Sequence, residues 1–217
     1  MRQAGFYGKL ASLGDFIHRD LPQGFIQPWD TWLATGLRAS QAQLGDAWLD
    51  AYLISPLWRF VLAPGLCGEQ AMTGVLMPSV DRVGRYFPLT VARPLAVDTD
   101  LGALVGGAQA WFEAVEEALL GTLEPQAAPQ HFEQALAGLP ALATTSALPW
   151  DDFAGLQRSR AETPAARQTV LGQWACQGAS LWWGTGSQQV AAGLLRCQGM
   201  PASEVFTRFL QSQQGPL

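Results

Sequence analysis

Along residues 72–94, MTGVLMPSVDRVGRYFPLTVARP, the apolar positions fall into two runs of strand length with charges gathered between them. This pattern predicts a hairpin. Val75, Leu76 and Met77 form a buried first strand, while Phe87, Leu89 and Val91 alternate along the second with Tyr86, Thr90 and Ala92 on its other face. Pro88 has no N–H to give to a ladder, so an edge position or a bend is expected there. Just upstream, Trp58, Phe60 and Leu62 alternate with Arg59 and Val61, which adds a third strand and makes a meander.

Helical spacing marks the flanks. Trp29, Leu33 and Leu37 predict a helix from Gln27 to near Gly45, with Pro28 in its first turn, and Asp46 is placed to cap a short helix carrying Trp48, Leu49, Tyr52 and Leu53. Asp98, Thr99 and Asp100 offer caps for one long helix through Leu119, with Glu113, Glu116 and Glu117 on or near its solvated side. A shorter helix is expected over 129–138. Residues 5–10 read as a strand, followed by a turn at Gly14 and Asp15. Residues 139–168 carry Pro140, Pro149 and Pro164 and no sustained period; they read as an irregular segment anchored by Trp150 and Phe153, with room for a helix over 151–158. Three short strands are expected over 169–176, 180–183 and 190–197, and Pro201 opens a terminal helix with Val205, Phe206, Phe209 and Leu210. Trp182 and Trp183 point to opposite faces of their strand. Together these elements describe an α+β fold with a mixed, mainly antiparallel β-sheet and helices on both faces.

Composition narrows the function. With 217 residues and 48% hydrophobic content the chain can bury a full core, and a net charge of -5 argues against nucleic acid or an anionic membrane as main partner. No run reaches the ~20 apolar residues of a membrane span and the first residues lack a signal-peptide core, so no membrane insertion and a cytoplasmic location are expected. Cys67, Cys176 and Cys197 are too few and too scattered for a disulfide framework or a zinc site and read as reduced core thiols. Neither a phosphate-binding loop nor a dinucleotide fingerprint occurs, and His18 and His131 are the only imidazoles. No cofactor, metal ligand or catalytic residue is assigned.

The loop inside the hairpin is the candidate site. Ser79, Asp81, Arg82 and Arg85 crowd into seven residues, held by strands on either side. Two guanidinium forks can bind an acidic partner. They can equally be used internally, with Asp81 forming an Asx turn and pairing with Arg85.

Two phrases, GFYGKLASLGDF at 5–16 and PSVDRVGRYFPLT at 78–90, joined by SLWWGTG and GMPASEVFTRFL near the C-terminus, make the chain resemble the TagF (ImpM) family of type VI secretion accessory proteins. Ala11 departs from the family pattern, which usually has proline after GKL. The resemblance implies a longin- or profilin-like sheet extended by C-terminal strands. It also implies one TagF-like domain over 1–217: a sheet-and-helix part to about 140, a connection over 141–168, and C-terminal strands and helix over 169–217. The function it implies is cytoplasmic, post-translational repression by binding the forkhead-associated scaffold protein Fha, without catalysis and without the threonine-phosphorylation pathway. Two other classes stand beside it: a hydrolase using Ser79, Asp81 and an incoming histidine, and a structural subunit of the secretion apparatus.

Overall fold

The computed structural model describes residues 4–124 and 127–212. Its main sheet has seven strands: β1 (Gly5–Lys9), β2 (Phe16–Arg19), β3 (Trp58–Leu62), β4 (Met72–Met77), β5 (Leu89–Pro94), β8 (Ala179–Gly184) and β9 (Gly193–Gln198). Their order across the sheet is β2-β1-β5-β4-β3-β8-β9, and every neighbouring pair is antiparallel. The expected α+β architecture is present. The central meander pairs Phe60 with Gly74 and Gly74 with Ala92; a Cβ on Gly74 would sit 2.1 Å from the Val91 carbonyl oxygen, so this crossing admits only glycine.

One face of the sheet is covered by α1 (Gln23–Leu44), α2 (Trp48–Leu53) and the terminal α7 (Thr207–Leu210), the other by α3 (Leu101–Val105), α4 (Gln109–Gly121) and α5 (Pro129–Ala137). Aromatic rings fill the first layer. Trp29 stacks near Phe25 and Trp182, and its indole N–H donates to the Thr90 hydroxyl at 2.9 Å. Trp32 and Trp58 give theirs to the carbonyls of Pro201 and Phe209 at 2.8 and 3.0 Å, so residues near the C-terminus satisfy indole donors on α1 and β3. Gly36 allows this docking, because a Cβ there would lie 2.2 Å from the Phe206 ring. The second layer centres on Trp111, Phe112, Val115 and Leu119.

Several expectations are corrected. The first helix starts at Gln23, where the Pro22 carbonyl accepts from the N–H groups of Phe25 and Ile26; Pro28 is therefore inside the helix and deprives the Gly24 carbonyl of its helical donor. Asp46 makes no cap; it lies in a 3-10 turn that runs straight into α2. The long helix over 101–119 is two, broken at Gly106 and Gly107 with Ala108 left-handed at φ 55°, although Asp100 caps α3 through the Ala103 N–H as expected. Glu116 does not face solvent: its carboxylate accepts from Arg59 Nε and Nη2 at 2.7 and 2.8 Å beneath α4, and Gln109 takes Arg59 Nη1 at 2.7 Å.

Phe87 packs in the first layer, opposite to Leu89 and Val91, because the strand begins only after Pro88 and the alternation is lost across it. In place of a helix over 151–158 there is a separate hairpin, β6 (Trp150–Phe153) and β7 (Leu156–Ser159), turning at Ala154 and Gly155 with φ 52° and 83°. Trp150 and Phe153 are exposed and anchor nothing. Residues 169–175 are helical, within α6 (Pro164–Ala175), and Cys176 is its C-cap; Thr163 caps the start by accepting from the Ala166 N–H, and Pro164 occupies its first turn. The last strand starts at Gly193 and not at Val190, and the terminal helix is a 3-10 turn followed by α7, with Val205 exposed.

Candidate functional site

The loop between β4 and β5 stands at the end of the sheet where β1 also ends. Asp81 is its centre. One carboxylate oxygen accepts from the N–H groups of Val83 and Arg85 at 3.0 and 2.9 Å, an Asx turn, while the other accepts from Lys9 Nζ at 2.6 Å and Arg85 Nε at 2.7 Å. The main chain closes the same turn, with Asp81 N–H donating to the Arg85 carbonyl, and Gly84 N–H to that of Asp81, each at 3.0 Å. Gly84 takes φ 84°, a conformation suited to glycine.

The turn is tied to the body on two sides. Ser79 donates its hydroxyl to the Lys9 carbonyl at 2.8 Å, and the Tyr52 hydroxyl donates to the Ser79 carbonyl while accepting from its N–H. From the other side, the Arg82 N–H donates to the Leu13 carbonyl at 2.9 Å, and the Arg85 guanidinium reaches the Gly14 carbonyl and lies 3.6 Å from the Asp15 carboxylate. Lys9 also sits 5.1 Å above the Phe16 ring.

Charge follows geometry. The Asp81 side chain has no solvent exposure and that of Lys9 has 5%. Burial alone would push the Asp81 carboxyl up, but the hydrogen bonds from Lys9, from Arg85 and from the Val83 N–H outweigh it and hold the group well below the usual carboxylate range. Burial raises the Tyr52 hydroxyl, so it remains a neutral donor.

The four predicted residues are therefore gathered in one turn, with different positions. Ser79 and Asp81 are buried, Arg85 is half-exposed and engaged with Asp81, and Arg82 is exposed beside Val83 at the tip. The internal pairing of Asp81 with Arg85 is present. Two residues that brace the turn were missed: Tyr52 and Lys9, the single lysine of the chain. Its singularity among twelve arginines was the available signal. No imidazole hydrogen-bonds to Ser79 or Asp81 among the described residues; His18 and His131 are exposed on β2 and α5.

The thiols of Cys67 and Cys176 are buried and pushed up to about 12 and about 11 by that burial, and Cys197 is partly exposed. Among the described residues no helix is long and apolar enough to cross a membrane.

The antiparallel sheet between two helical layers, with a turn braced by buried charges, is the framework of a type VI secretion-associated protein: residues 5–139 match the family model described as the TagF N-terminal domain, type VI secretion system-associated. The match spans more than half of the sequence, and the chain belongs to the TagF family. Of the solved structures it is similar to PA0076 from Pseudomonas aeruginosa PAO1, with 58% identity and a TM-score of 0.93 over 99% of this chain and 97% of that one. No curated protein matches the chain. Both phrases of the resemblance meet in space, since Lys9 belongs to the first and Asp81 to the second.

Proposed function

We propose that the chain is a cytoplasmic, post-translational repressor of type VI secretion that acts by stoichiometric binding of the forkhead-associated scaffold protein Fha, with no catalytic step. The supporting observation is the tip of the braced turn. Arg82 is exposed, its side chain has no hydrogen-bonded or ionic partner among the described residues, and its backbone is fixed by the Leu13 carbonyl. A rigidly presented arginine beside an exposed apolar residue, here Val83, is the kind of group that carries binding energy at an interface. Ser79, Asp81 and Arg85 fix the shape of the turn, so contact with the partner falls to Arg82.

The test is Arg82→Glu measured by calorimetric titration into purified Fha. Losing a charge-assisted contact is expected to weaken binding by about 2 kcal/mol, with an unchanged melting temperature because the side chain supports nothing else. Undiminished affinity in the folded variant would remove the turn as the binding surface. Turnover of a substrate in place of saturable one-to-one binding would remove the repressor reading itself.

A further inference from the structure

At the end of β5 away from the Asp81 turn, Arg93 lines a pocket of about 300 Å³. Gln70, Thr99 and Thr144 supply polar groups around it, and Leu95 and Leu142 supply an apolar wall. The Arg93 Nε is buried and has no hydrogen-bond partner. Other arginines with buried or braced side chains are matched: Arg59 by Glu116, and Arg85 by Asp81. Arg93 forms no ion pair with any described carboxylate. Its pKa is lowered by burial alone, with no carboxylate acting against that shift, yet a guanidinium remains charged at neutral pH. A partly buried cation without a counter-charge is costly to keep, and the open pocket beside it is where that charge can be met.

We propose that this pocket is a binding site for a monocarboxylate. Nε is shut off from the pocket, but the two terminal nitrogens are neither buried nor hydrogen-bonded among the described residues, and their pair matches the two oxygens of a carboxylate, so the ligand docks end-on through paired hydrogen bonds. One positive charge, with no second cation among the lining residues, suits a single negative charge better than a phosphate dianion. Leu95 and Leu142 then receive a small apolar group next to the carboxylate, and the volume lies at the lower end of the range for ligand pockets, about 300–1,000 Å³. The same chemistry is offered by a free small acid and by the C-terminal carboxylate of a polypeptide.

Sodium isobutyrate represents the first source and N-acetyl-leucine the second, each titrated into the full chain at constant ionic strength with chloride and phosphate as controls. Saturable binding followed by NMR or thermal shift is expected for at least one of them; the tighter of the two identifies the source. Arg93→Met should abolish the response or weaken it at least ten-fold, while the melting temperature of the ligand-free variant stays equal or rises because an unmatched charge has been removed. Arg93→Lys, which keeps the charge and loses the fork, should also weaken binding several-fold. No saturation by either acid, equal binding by Arg93→Met, or tighter binding of phosphate than of both carboxylates would overturn the assignment.

Discussion

Four hydrogen bonds from three residues converge on the Asp81 carboxylate, so protonating it in the folded chain means giving up contacts with Lys9, Val83 and Arg85. The folded pKa is depressed, whereas an unfolded Asp titrates near ~3.9. The stabilisation is thus fully present above that value and is lost as pH falls from about 4 toward the folded pKa, because the unfolded chain takes up the proton first. Melting curves of the native chain and of Asp81→Asn should run parallel from about pH 8 to pH 5 and converge below about pH 4. Curves that stay apart in acid would mean that Asp81 is not the group being titrated. The Asx turn and the Asp81–Arg85 pair were legible because both lie within one short stretch. The Lys9 contact was not, since its partner is 72 positions away and becomes a neighbour only through the pairing of β1 with β5.

At the level of elements, α4 is held to the sheet by more than its apolar stripe. Arg59 on β3 reaches up to Glu116 with both ends of its fork, in contact with the Phe112 ring 5.4 Å away. Glu116→Ala would leave a buried guanidinium with Gln109 alone and is expected to cost about 3 kcal/mol, read as a lower denaturation midpoint at unchanged slope. The apolar period of α4 could be read from the sequence, but the inward turn of Glu116 could not: an acidic residue one step off the stripe gives no sign of an arginine waiting on the sheet below. The α6 region misled for a different reason. Its Thr169 and Val170 have strand propensity, while Thr163 and Pro164, a cap and a first-turn proline, lie ahead of them and determine the outcome.

For the molecule as a whole, the family match ends at residue 139 but the sheet does not. β8 pairs with β3, and Trp182 packs against Trp29, Trp32 and Phe60. A fragment ending at 139 would leave β3 as a bare edge and uncover those rings, besides leaving the Trp32 and Trp58 donors without their carbonyls. Such a fragment is expected to bind a hydrophobic dye and to lack a cooperative thermal transition; a sharp melt would show that the first 139 residues make a self-sufficient core.

The isolated β6–β7 hairpin has a consequence for how the chain responds to cutting. Phe153 is 81% exposed and Leu156 72%, and a two-stranded ribbon with so little buried surface opens readily. Its amides should exchange with deuterated solvent well before those of β4 and β5, and a protease should nick first near Ala154 and Gly155. The two pieces would then stay together, because β8 is still gripped by β3 and the C-terminal carbonyls still hold the tryptophans of the first piece. Co-elution of both fragments after nicking is the expected result. In that respect the chain is a natural split protein, with the joint between its halves already marked out on the surface.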